Sequence, residues 1–210
     1  MLNGFVRADS VNSSGDSPDE TIERGNQRLA RRSGLAVGLA TAAYGISFGA
    51  LSVAAGLSIA QTCFLSIVMF SGGSQFALVG VLATGGAASG PAAIAGAALL
   101  GVRNGIYGIR TSPMIGRGWW KRTAAAWLTI DESTAVGLAQ PTPRSRRTGF
   151  WVTGLAVFIG WNLTTLLGAL IGDAMGDTRA YGLDAAVFCQ LEAGHFSAKK
   201  PASSAPFPAS

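Results

Sequence analysis

Arg103 sits inside an apolar segment, followed at once by Asn104 and, one helical turn on, by Tyr107. A guanidinium in such a place grips a carboxylate with two parallel hydrogen bonds, and the amide and phenol lend further polar contacts. The same arginine can also snorkel to a membrane interface or pair with an acid of its own chain. Such acids exist: Asp131 and Glu132 lie in another apolar segment. There a carboxylate holds an ammonium group, accepts a coupling proton or closes an internal ion pair. A third cluster, Ser71, Gly72, Gly73, Ser74 and Gln75, interrupts one of the most apolar stretches of the chain. In hydrocarbon an unpaired backbone group costs several kcal/mol, so irregular backbone persists only where protein covers it or a wet cavity adjoins it. Free amides at the start of a half-helix would bind an anion there, with Gln75 as donor or acceptor. The competing reading is a close helix crossing whose serines bond back to their own carbonyls.

These residue types do not assemble a catalyst. The single histidine, His195, lies near the end of the chain, and no P-loop, dinucleotide-binding or zinc-protease motif is present. An intramembrane aspartic hydrolase wants two carboxylates on different helices, whereas Asp131 and Glu132 are adjacent and are expected to point to different helix faces. Cys63 and Cys189 are far apart and lack metal-ligand spacing, so no metal, cofactor or disulfide framework is indicated. What remains is a set of ionisable groups at membrane depth. Each costs about 2.5–3.5 kcal/mol at a helix centre on insertion scales, which points to a transport or relay site.

The elements that must position these groups are membrane helices. Of the 210 residues 49% are hydrophobic and only 13% charged, and from Ser33 to Val102 there is no Asp, Glu, Lys, Arg or His. A span needs only about twenty such residues. The net charge of +5 gathers in clusters beside apolar segments, the pattern that orients membrane proteins, so nucleic acid is not the expected partner. The predicted fold is all-α, a polytopic membrane helix bundle with broken or re-entrant helices. Residues 1–33 are expected to form a disordered cytoplasmic arm, residues 34–186 a membrane domain of about five apolar segments, and residues 187–210 a polar tail.

The segments are Leu35 to Leu57, Thr62 to Thr84, Ala92 to about Ile109, Thr123 to Gln140 and Phe150 to Ile171. Gly45 and Gly49 in the first form a G-x-x-x-G, which reads either as a close-packing helix face or as a second break. Trp119 and Trp120 beside Arg117, Lys121 and Arg122 mark a membrane interface. With every segment a full span, this basic cluster falls on the opposite side from Arg24–Arg32 and Arg144–Arg147. If the second and fourth segments enter and leave on one side, at Ser71–Gln75 and around Asp131, all three clusters share the cytoplasmic face and Asp173 and Asp177 are external.

In this order the stretches Gly45-Ile46-Ser47-Phe48-Gly49-Ala50, Phe70 to Phe76, Arg103-Asn104-Gly105-Ile106-Tyr107-Gly108, Thr129-Ile130-Asp131-Glu132-Ser133 and Leu166 to Asp173 through Gly182 to Ala186 resemble the AzlC family. These are the larger subunits of branched-chain amino acid exporters. The resemblance implies a plasma-membrane permease that exports valine, leucine or isoleucine on an ion gradient, with a small AzlD-type membrane subunit as partner. On that basis Ser71, Gly72, Gly73, Ser74, Gln75, Arg103, Asn104 and Tyr107 are expected to bind substrate, and Asp131 and Glu132 to couple an ion or proton. Two departures stand out. Asn104 occupies the place where the family usually has a histidine, and a further hydrophobic region expected after Leu183-Asp184-Ala185-Ala186 is replaced by a polar tail, as in a truncated or frame-shifted copy. A non-transporting scaffold subunit and a small-solute pore are the alternatives.

Overall fold

A computed structural model describes residues 17–176. Within them the chain forms α1 (Pro18–Ala54), α2 (Ile59–Val68), α3 (Gly72–Gly85), α4 (Gly90–Ile115), α5 (Trp119–Trp127), α6 (Asp131–Leu138) and α7 (Pro143–Met175), and no strand. Three segments are long and apolar enough to cross a membrane: α1, α4 with the short turn before it, and α7. At 1.5 Å per residue α2, α3, α5 and α6 reach only about 12–21 Å, short of the roughly 30 Å a bilayer core demands. The all-α membrane bundle with broken helices is therefore what the chain adopts.

The expected disordered arm is corrected from residue 18 onward, because α1 begins at Pro18. Ser17 caps it by accepting from the Glu20 amide at 3.3 Å, and Asp19 and Glu20 sit in its first turn, where the helix dipole favours negative charge. The remainder of the arm, Asp177, the Gly182–Ala186 stretch and the tail lie outside the described residues. The predicted third segment also ends too early, since α4 continues to Ile115 with Pro113 inside its last turn.

α1 and α7 form the spine of the bundle. Methyl groups built on Gly45, Gly49 and Gly168 would run into Thr164, Thr165 and Ile46 respectively, so these glycines exist to let two backbones touch. Gly45 and Gly49 thus belong to a close crossing and not to a break. Contacts rise together along both helices, from Glu23 with Thr142 to Ala50 with Gly172, which makes α1 and α7 parallel.

The remaining directions follow from the same bookkeeping. Met114 near the end of α4 accepts a 2.9 Å hydrogen bond from Arg147 near the start of α7, while Arg103 lies beside Val157 and Trp161, so α4 runs antiparallel to α7. Ser66 approaches Thr165 and Phe70 packs edge-on against Phe158, so α2 also runs antiparallel to α7. Gly73 lies by Arg103, whereas the Val81 carbonyl accepts from Ser89, which carries α3 back to the end where α2 began. α2 and α3 are a re-entrant hairpin.

α5 and α6 make a second one from the opposite end. Arg122 bonds Ser112 at 3.2 Å low on α4, and Thr129 reaches the level of Asn104. From there α6 returns: Ser133 lies by Gly154, Gly137 by Phe150 and Gln140 by Gly149. Arg24–Arg32, Arg117–Arg122 and Arg144–Arg147 consequently gather at one end of the bundle, and Asp173 stands at the other. The charge conflict of five plain spans disappears.

Candidate functional site

The two hairpins turn at the same depth, and their turns meet. The first break covers Met69 to Ser71, so Gly72 to Gln75 form the first turn of α3 and are not themselves irregular. Ser71 is extended at φ −158° and its side chain caps nothing, which leaves the first amides of α3 facing outward. The second break covers Leu128 to Ile130, and Ile130 is likewise extended at φ −127°. Both helix starts border one cavity of about 50 Å³ that is partly open to the outside. Two helix N-termini, each carrying the equivalent of roughly half a positive charge, converge there.

Arg103 and Asp131 close across this space, with Nη2 and Oδ2 3.0 Å apart and both side chains about two-fifths exposed. The internal ion pair weighed from the sequence is therefore formed. It is not saturated: Arg103 Nε, Asp131 Oδ1 and Asn104 Oδ1 are shielded from solvent and have no hydrogen-bond partner. One spare donor and two spare acceptors in one cavity carry a desolvation penalty of about 1–3 kcal/mol each until something pairs with them. Contrary to the expectation that they point apart, Asp131 and Glu132 both border the cavity, from the first turn of α6.

Of the ten residues expected at a site, Ser71, Gly72, Gly73, Arg103, Asn104, Asp131 and Glu132 are brought together. Ser74, Gln75 and Tyr107 do not line the cavity. Gln75 has no exposed surface and is fully spent on structure: its Nε2 donates to Met69 O at 2.6 Å and to Ser66 O at 3.3 Å, and its Oε1 accepts from Trp161 Nε1 at 2.8 Å. It ties the turn of the first hairpin to α7. Ser133 fastens the second turn to the start of α6 alone, accepting from Ile130 N at 3.1 Å and donating to Leu128 O at 2.6 Å. Ser74 is buried beneath α3 near Gly101, and half-buried Tyr107 lends its carbonyl to Thr111.

The sequence reading missed Thr41, Phe70, Ile130, Val157 and Trp161, which supply the rest of the cavity wall. Phe70 and Ile130 adjoin predicted residues, and their apolar type hid them. Val157 and Trp161 lie one turn apart on α7, a spacing that signals only a common face. Trp161 is positioned by Phe48, stacked at 6.1 Å, and by Phe76, edge-on at 6.1 Å. The cavity thus has one charged side, one side of backbone amides and one apolar side. Those three kinds of wall match the three parts of a small zwitterion with an aliphatic side chain.

No curated protein and no solved structure is detectably similar to the chain. A family model described as AzlC protein matches residues 36–175, a span that contains every residue bordering the cavity. With more than half of its length matched, the chain belongs to the AzlC family.

Proposed function

We propose that the chain is the larger subunit of a secondary transporter that exports branched-chain amino acids, and that the cavity between the two hairpin turns is its substrate site. The observation that carries this reading is the unpartnered set on residues that line the cavity: Arg103 Nε as a donor, Asn104 Oδ1 and Asp131 Oδ1 as acceptors. A substrate carboxylate takes Arg103 Nε and the Gly72 and Gly73 amides, and the ammonium takes Asp131 Oδ1 and Asn104 Oδ1. Phe70, Val157 and Trp161 receive the branched side chain. Glu132, in the same cavity, carries the coupling proton. By the positive-inside rule the end that gathers the three arginine clusters is cytoplasmic, which places the N-terminus there in a multi-pass plasma-membrane protein. A small AzlD-type membrane subunit completes the transporter.

Export of labelled valine from loaded cells, with the small subunit co-expressed, tests the reading. Wild-type chain accelerates export, Arg103→Ala lowers it at least tenfold at equal protein level, and dissipating the proton gradient slows it. Export equal with and without the protein would contradict a transporter, and flux indifferent to the gradient and to solute identity would make it a pore.

A further inference from the structure

The central cavity is too small for the solute proposed for it. About 50 Å³ takes water, whereas an apolar cavity that binds benzene, with six heavy atoms, measures about 150 Å³, and valine has eight. A wall must therefore move before the site fills. The walls hang on α7, which packs against α1, α6 and α2, and its three seams are not alike.

Glycine fixes two of them. The atoms nearest to every glycine of α7 belong to α1, α6 or the turn before α6: Gly168 lies against Ile46 and Gly172 against Ala50, while methyl groups added to Gly149 and Gly154 would stand 3.2 Å from Val136 O and Leu128 O. Backbones that close forfeit their dispersion contacts on the slightest separation and leave no room for water. The seam with α2 is built otherwise. α2 contains no glycine, and it meets α7 through small hydroxyls with a phenyl ring at the inner end. Ser66 Oγ and Thr165 Oγ1 stand 3.5 Å apart, beyond the roughly 2.5–3.0 Å of a normal bond between hydroxyls. Thr62, one turn before Ser66 on the same face of α2, has an Oγ1 with no partner at all. All three residues are without exposed surface. At the inner end Phe70, a wall of the cavity, packs edge-on against Phe158 at 5.1 Å. Dry, these hydroxyls are poorly satisfied, and water would satisfy each of them, so this seam parts at lower cost than a glycine seam.

We infer that the α2–α7 seam is the gate of the central cavity: α2 swings away from α7, Phe70 leaves the wall with it, and the cavity enlarges toward the end where Asp173 stands. The α1–α7 and α6–α7 seams stay shut. The inference rests on the reading above that the cavity takes an amino acid, since that reading is what makes its volume too small.

The test uses the full chain with Cys63→Ala and Cys189→Ala, in vesicles that also hold the proposed AzlD-type subunit. A charged, membrane-impermeant thiosulfonate supplied on both faces is compared at Thr62→Cys and at Thr153→Cys, two threonines without exposed surface, one in the hydroxyl seam and one against Gly34 of α1. Reaction at Thr62→Cys is at least tenfold faster, and valine shifts its rate several-fold. Equal rates overturn the gate whatever the cargo, because this comparison needs no transport. A faster rate at Thr62→Cys that ignores valine supports the gate and tells against the amino-acid reading of the cavity. Ser66→Cys combined with Thr165→Cys then brings two thiols within reach of a disulfide. Oxidation lowers valine export at least tenfold and reductant restores it, while each single variant is indifferent to oxidant. Undiminished export by the cross-linked protein overturns the gate, and failure to cross-link does so too, because it denies the contact. The pair carries the test if Thr62→Cys does not fold.

Discussion

The two breaks look at each other across one cavity, yet different chemistry closes them. At Met69–Ser71 the clasp is a fully buried glutamine tied to two loop carbonyls and to the Trp161 indole, and the helix start beyond it is uncharged. At Leu128–Ile130 the clasp is one serine hydroxyl, and two carboxylates stand in the first turn of α6. The first hairpin therefore contributes a fixed array of backbone dipoles on a rigid mount. The second contributes charge on a lighter one. A site for a zwitterion needs both, and their division between the two hairpins fits the absence of an ionisable group at Ser71–Gln75.

Variants that exchange these roles test the comparison. Gln75→Leu takes the amide's hydrogen bonds from buried Ser66 O and Trp161 Nε1, at about 1–3 kcal/mol apiece, while Met69 O keeps its bond from the Ser71 amide. Gel filtration of detergent extracts is expected to show most of the folded protein lost; wild-type recovery would mean that the clasp is dispensable. Asp131→Asn keeps the shape of the second turn and removes its charge. It is expected to leave protein levels unchanged while valine export falls at least tenfold, or about 1.4 kcal/mol. Ser133→Ala removes the lighter clasp at about 1–2 kcal/mol, so its thermal stability in detergent should fall between those of wild type and Gln75→Leu; a larger loss than Gln75→Leu would reverse the ranking of the two mounts. The mildest change is Gly73→Ala, whose methyl meets Arg103 Nη2 at 2.7 Å. The flexible guanidinium end gives way, and the apparent KM for valine rises roughly threefold, the weight of one weakened hydrogen bond.

Much of this was legible in the chain. The charge-free run from Ser33 to Val102 declared a membrane protein, and the polar residues at 71–75, 103–104 and 131–132 each marked a place where hydrocarbon has to be excluded. The clustering of arginines raised hairpins beside plain spans without deciding between them, because charge bias acts across the whole topology. Gln75 was misjudged for a physical reason: its partner Trp161 is 86 residues away, and no local pattern says whether a buried amide serves a ligand or a distant indole. The start of α1 was missed differently. Its cap, proline and acidic first turn were all present at Ser17 to Glu20, but the density of charge that follows was read as disorder.

The pairing of the two hairpins is tested most directly by equilibrium binding of labelled valine to the purified chain together with the proposed AzlD-type subunit, competed by two molecules of matching shape that each lack one charge. Isobutylamine has no carboxylate for Arg103 and the α3 amides, and isovalerate has no ammonium for Asp131 and Asn104. A cavity that pairs both ends rejects each by at least tenfold relative to unlabelled valine, because its polar groups stay unmet. Competition by isovalerate as strong as that by valine would contradict the role of the second hairpin and with it the joint site.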